Sequence, residues 1–399
     1  MTHENKFGMF IHWGLYALTE LHEQALARYD MERTSYETLQ QQFNPVDYDP
    51  EAWVLLAKRA GMKYICITAK HHDGFCMWDT KYTDFNIMHT PYGKDVLKQL
   101  SDACAKHGML LSLYYSNPDW HCPFGYNPNS SHQWRSVDPD HPDLDRYRAF
   151  IKDQVTELLT NYGKIYTFFW DIPPKVYDPS LNELVRSLQP GIYINDRGWD
   201  TGDFSTPERE YDAASSARYS RMTEACNSVG AQSWGYRREE DFYSLRHLMS
   251  SIDRTMALGG SYLLNVGPTA LGTIDKAYAD RIEAIGDWYG RMNGALECHE
   301  EDAFDYGVKR DPCIVTRKNG KSYFHFYNGL HTSAVALERY PCMPKSVKLL
   351  NTGADLSVKI ERMPEFFDGS TGMAKVFLHI RGIPVDDLCR EPVVLEIEW

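Results

Sequence analysis

No run of this sequence is apolar for long enough to span a bilayer, and the first ten residues, MTHENKFGMF, contain no signal-like apolar core. Membrane insertion is therefore not expected, and a cytoplasmic location is. Basic residues are in the minority: 42 Lys and Arg against 55 Asp and Glu give a formal charge of −13. That sign argues against a nucleic-acid partner. The nine cysteines form no CxxC pair and no zinc spacing, and their number is odd. Free thiols in a reducing compartment are expected rather than a disulfide framework. There is no GxGxxG turn and no His-x-His pair, no internal repeat and no low-complexity tract. Neither a dinucleotide nor a metal cofactor is expected on those grounds.

What the chain does have is aromatic mass, with 26 Tyr and 10 Trp, and a recurring helix-then-strand plan. The segments DPEAWVLLAKRAG (49–61), KDVLKQLSDACAKHG (94–108), LDRYRAFIKDQVTELLTNYG (144–163) and PSLNELVRSLQPG (179–191) each close on Gly. Glycine enters the left-handed region cheaply and so ends helices. Each is followed by an apolar run: MKYICITAK, MLLSLYYS, KIYTFFWD and IYIND. Such runs fit parallel strands buried on both faces. KFGMFIHW at the start and GSYLLNVG (260–267), after the helix SLRHLMSSIDRTMALG, make six strands. DFSTPE and QSWGY are weaker candidates for two more. The count predicts an α/β fold, a (β/α)8-like TIM-type barrel over 1–296, with a doubly wound open sheet as the rival. After the helix DKAYADRIEAIGDWYGRMNG the pattern changes to short alternating runs, from CIVTR to PVVLEIEW. These predict a C-terminal antiparallel β-sandwich over 297–399.

In such a barrel the strand ends carry the site. They offer His12 and Trp13; His71, His72 and Asp73; Tyr114, Tyr115, Asp119 and Trp120; Trp170 and Asp171; Asn195, Asp196 and Arg197; Glu208 and Glu210; Trp234 and Tyr236; and Asn265. A lone strand-end histidine is more often structural than catalytic, and adjacent strand residues face opposite ways. Asp171 differs, because it ends the apolar run IYTFFW and would be desolvated. Opposite a second carboxylate, the natural chemistry is glycoside hydrolysis.

KFGMFIHWGLYA, YICITAKHHDGFCMWDTKYTDFN, LLSLYYSNPDW, FFWD, NDR, GDFSTPE, SWGY and GGSYLLNVGPT occur in order from Lys6 to Thr269. Together they resemble the retaining α-L-fucosidases of glycoside hydrolase family 29. The resemblance implies a (β/α)8-like barrel with a C-terminal β-sandwich, no cofactor, and a fucosylated oligosaccharide or glycoconjugate as substrate. It implies Asp171 as nucleophile and Glu208 as acid/base, with Glu224 of TEAC the alternative. It implies His12, His71, His72, Tyr114, Arg197 and Trp234 as sugar-binding residues, with Trp234 facing the fucose methyl group. The sequence departs from the family at Ala25–Leu26, aligned with a Glu-Trp pair that contacts the sugar. It also departs at DIPP, where Gly usually follows the aspartate, and at NDRGW. An α-L-galactosidase or linkage-restricted relative, and a non-catalytic sugar-binding barrel, stay open. A homo-oligomer is compatible with the sequence.

Overall fold

The computed structural model describes residues 5–125, 132, 143–174, 176–209, 218–292, 294–297, 300–364 and 373–399. Its first part is a curled parallel sheet of seven strands. These are β1 (Phe7–Ile11), β2 (Tyr64–Lys70), β3 (Leu110–Ser116), β4 (Ile165–Asp171), β5 (Tyr193–Ile194), β6 (Glu224–Ser228) and β7 (Ser261–Val266). Their order is β5-β4-β3-β2-β1-β7-β6. Between the two edge strands, residues 204–208 make single parallel bridges, Asn195 to Phe204 on one side and Ser205 to Thr223 and Glu208 to Cys226 on the other. Phe10, Tyr64, Tyr114, Phe169, Cys226 and Leu263, from six strands, pack together inside the curl.

The outer face carries the helices Pro50–Arg59, Val96–His107, Leu144–Asn161, Ser180–Leu188, Leu245–Ala257 and Lys276–Arg291. Most begin on a side-chain cap, with Asp49, Asp95, Asp143, Ser244 and Asp275 each accepting from a backbone N–H in the first turn. Each such cap contributes about 1 kcal/mol. Gly108 ends its helix at φ 64°, the left-handed stop its position predicts.

Three strand expectations are corrected. QSWGY is a loop. The strand in that region is β6, whose residues EACNS are small or polar yet all buried. DFSTPE contributes only isolated bridges, and IYIND only the two residues of β5. Among the described residues the sheet therefore has seven strands and not eight. Glu210 lies outside the described residues.

Antiparallel strands follow from Glu300. Six form one sheet, with Lys321–Phe326 and Val393–Glu398 at its centre, and three form another, Ala334–Leu337, Lys375–Arg381 and Ser357–Met363. Phe324, Leu349 and Leu395 of the first sheet share a core with Leu337, Leu378 and Ile380 of the second. This part docks on the helix Leu245–Ala257. Fully buried His325 there contacts Asp253 Oδ1 through Nδ1 at 2.7 Å and Thr316 Oγ1 through Nε2 at 3.0 Å.

Candidate active site

Most neighbouring strand-end residues divide between two faces, but His71 and His72 do not: the expectation that they face opposite ways is corrected, because β2 ends at Lys70 and both histidines, beyond it, line the cavity. Trp13, Tyr115, Trp120 and Trp170 point outward into the helix-packed core. Asp119 is spent on buried Lys70 at 2.8 Å, and Asp73 accepts from Tyr36 Oη at 2.7 Å. The inward set, His12, His71, His72, Tyr114, Asp171, Arg197, Glu208 and Trp234, lines one cavity of about 380 Å³ at the C-terminal end of the sheet.

Asp171 is the last residue of β4 and 8% exposed. Tyr114 Oη donates to its Oδ2 at 2.7 Å and Arg197 Nη1 to its Oδ1 at 3.1 Å. Burial pushes this carboxyl up, but the Arg197 guanidinium, His72 and the Tyr114 hydroxyl outweigh it and hold the group below the usual carboxylate range. The same Arg197 Nη1 donates to Glu208 Oε2 at 2.8 Å. The two carboxylate oxygens can be no farther apart than those two bonds laid end to end, roughly 6 Å. Arg197 is itself fixed by Thr206, whose Oγ1 accepts from Nε and whose carbonyl accepts from Nη2. Glu208 is the more open carboxylate, its side chain 40% exposed.

The histidines are neutral acceptors. Burial lowers His12 and His72 to about 4, partly offset by Glu23 at His12 and by Asp171 at His72. Burial and the neighbouring His72 and His12 rings lower His71 further. Asn265 uses its amide nitrogen on Ser228 Oγ and the Trp234 carbonyl, so its Oδ1 accepts from His12 Nδ1 at 2.7 Å. Ser116 donates to the Pro118 carbonyl and so accepts from His72 Nδ1 at 2.7 Å. Both rings thereby carry their proton on Nδ1 and leave Nε2 as a lone pair. His72 Nε2 stands 3.8 Å from Asp171 Oδ2, too far for a direct hydrogen bond. Trp234 forms the facing wall, 5.2 Å from the His12 ring and beneath the Arg209 guanidinium at 4.7 Å.

Glu224 does not line this cavity. It is the first residue of β6, four residues and about 13 Å of strand before Ser228, which pairs with Asn265 near the rim. Its carboxylate accepts from Tyr64 Oη at the start of β2, at the opposite end of the sheet. Glu224 thus stands in a regular strand, away from the cavity. Ala25 and Leu26, the point of departure from the family, are both buried, and the adjacent His22, Glu23 and Gln24 line the cavity. Glu23, 2% exposed, accepts from Ser233 Oγ at 3.0 Å and from Trp234 N at 2.8 Å. Burial raises this carboxyl, but His22, His12 and the backbone N–H of Trp234 bring it below its ordinary value. Its sequence signal was weak, a lone acid in an aperiodic loop.

Two carboxylates sharing one guanidinium, in a pocket walled by aromatic rings and hydroxyl-accepting imidazoles, are equipped to break a glycosidic bond, and the molecule falls in the class of glycoside hydrolases. Known proteins narrow this. The α-L-fucosidase family model matches residues 2–295. The human tissue α-L-fucosidase is 27% identical over 398 residues, covering 91% of this chain and 82% of that protein. The structure of α-L-fucosidase isoenzyme 1 from Paenibacillus thiaminolyticus superimposes with a TM-score of 0.84 at 29% identity, covering 99% of this chain and 97% of that one. AlfC from Lactobacillus casei, an α-L-fucosidase solved with α-L-fucose product, gives 0.65 at 30% identity over 73% of this chain and 98% of its own. The chain belongs to the α-L-fucosidase family, glycoside hydrolase family 29, and is an enzyme.

Proposed function

We propose that the protein is an exo-acting retaining α-L-fucosidase, releasing terminal α-L-fucose from an oligosaccharide or glycoconjugate by double displacement. The observation that carries this reading is the single Arg197 nitrogen bonded to both Asp171 and Glu208. The limit of roughly 6 Å that it sets accommodates the 5–5.5 Å of retaining enzymes and leaves little room for the water that inverting enzymes hold between their carboxyls. Asp171, kept ionised, attacks the anomeric carbon. Glu208 protonates the departing oxygen, and the carboxylate it becomes is met by Arg197. The covalent fucosyl-Asp intermediate is then hydrolysed, with Glu208 taking the proton from water. The lone pairs of His12 and His72, together with His71, accept from sugar hydroxyls, and a hydroxyl between His72 Nε2 and Asp171 Oδ2 would bridge their 3.8 Å gap.

Trp234 presents apolar surface to the cavity and supports a methyl group, hence L-fucose, over the hydroxymethyl of L-galactose. The bridges at 204–208 support reading the curled sheet as a (β/α)8-like barrel with an incomplete eighth strand, and the two sheets after Glu300 as a β-sandwich. The family match, ending at residue 295, supports a division into 1–296 and 297–399. Turnover of an aryl α-L-fucoside beside the matching α-L-galactoside is the test. Fucoside hydrolysis well above galactoside hydrolysis is expected. The reverse ranking would make the enzyme an α-L-galactosidase, and no hydrolysis of either would favour a sugar-binding barrel.

A further inference from the structure

We propose that Asn117, which touches neither carboxylate, is the positioning residue that sets Asp171 against Arg197. This inference rests on the reading of Asp171 as nucleophile. The residue after that carboxylate, Ile172, sits at φ 58°. A β-branched side chain is a genuine outlier in that region. Ile172 also precedes Pro173, whose ring further restricts its backbone. A turn made of such residues does not hold itself, and backbone strain of this kind persists where the surroundings over-determine it.

Asn117 supplies that constraint. It follows directly on β3 and is 3% exposed. Its backbone N–H donates to the Asp171 carbonyl at 3.0 Å. Its side-chain amide donates to the Ile172 carbonyl at 3.1 Å and to the Arg197 carbonyl at 3.1 Å. Its Oδ1 accepts from Trp199 Nε1 at 2.8 Å, and its carbonyl from Tyr147 Oη. Because an indole N–H only donates, the amide can face only one way, with its NH2 toward the two carbonyls. One buried side chain thus ties the turn carrying Asp171 to the strand end carrying Arg197. The sugar contacts come from other residues, so loss of Asn117 is expected in kcat rather than KM.

The experiment compares wild type, Asn117→Ala and Asn117→Ala/Ile172→Gly on an aryl α-L-fucoside, with Tm measured for each. Asn117→Ala is expected to lower kcat about 100-fold, the scale of a 1 Å misplacement, with KM within about threefold. Glycine adopts φ 58° without a clamp, so the double variant should regain at least about tenfold in kcat. Should Asn117→Ala not fold, Asn117→Ser, which like Ala keeps the backbone bond to Asp171 but leaves a polar group at the buried position, takes its place in both arms. A folded variant with lower Tm but wild-type kcat would overturn the proposal, and so would a loss that Ile172→Gly does not recover. A wild type inactive on both the fucoside and the matching galactoside would overturn the reading of Asp171 and this proposal with it, whereas the two preceding outcomes, in an active wild type, fault the role of Asn117 alone.

Discussion

Glu224→Gln should make the protein more stable at alkaline pH relative to wild type, without removing activity. Glu224 is fully buried at the start of β6; Tyr64 bonds its Oε2, while its Oε1 has no partner among the described residues. Burial, opposed in part by the Tyr64 hydrogen bond, raises its carboxyl from 4.5 to about 7. The folded protein therefore keeps a proton that the unfolded chain releases above pH 4.5. The stability associated with that proton is fully present below about pH 4.5 and is lost as pH rises through about 7. At 1.36 kcal/mol per decade, the loss is about 3 kcal/mol. Glutamine does not ionise and still accepts from Tyr64. Of that, about 2.5 kcal/mol falls between pH 5 and pH 8, so the gap in Tm between variant and wild type should widen by about 3–4 °C over that range, at roughly 1.2–1.6 °C per kcal/mol for a unit of about 300–400 residues. Calorimetry at pH 5, 6.5 and 8 measures it, with turnover recorded on the same samples. A gap independent of pH would refute the buried, proton-holding assignment. A collapse of turnover would return Glu224 to the catalytic site.

Asp171→Ala should lower turnover by several orders of magnitude while the fold survives, and azide should restore part of it by filling the space of the carboxylate; near-normal activity would remove the double displacement. Glu208→Ala should harm disaccharides far more than activated nitrophenyl sugars, and azide should rescue it to give a fucosyl azide of retained configuration. If that pattern appears only in Glu224→Ala, the acid/base assignment moves. Prolonged chelation should leave activity unchanged, because the Nε2 lone pairs of His12 and His72 are assigned to sugar hydroxyls and, among the described residues, no group of three or more His, Cys, Asp or Glu is placed to hold a metal ion. Loss on chelation, restored by zinc, would reassign the histidine cluster.

The helices and β1 to β4 were legible because their signals are local. Asp49, Asp95, Ser244 and Asp275 precede apolar periodicity, and the strands are unbroken apolar runs buried on both faces. β6 was illegible for the converse reason. Glu224, Cys226 and Ser228 face the inside of a curled sheet, where a polar side chain is tolerated if the sheet supplies a partner, as Tyr64 does. Trp234 and Tyr236 mimic a strand but belong to a loop held by Glu23 and Asn265, contacts more than thirty residues away in sequence. The exposed strand Ser357–Met363 lacks a clean apolar face and gave no signal. At the site, the strand-end residues were readable because topology gathers them at one rim. Glu23 and Asn117 were not, since what they do depends on which backbone they meet.

The central claim is double displacement at Asp171, and the anomer first released tests it most directly. Proton NMR during early hydrolysis of an aryl α-L-fucoside, before mutarotation, should show α-L-fucose appearing first and the β-anomer only later. β-L-fucose appearing first would mean single displacement with inversion and would contradict the assignment of Asp171 as nucleophile.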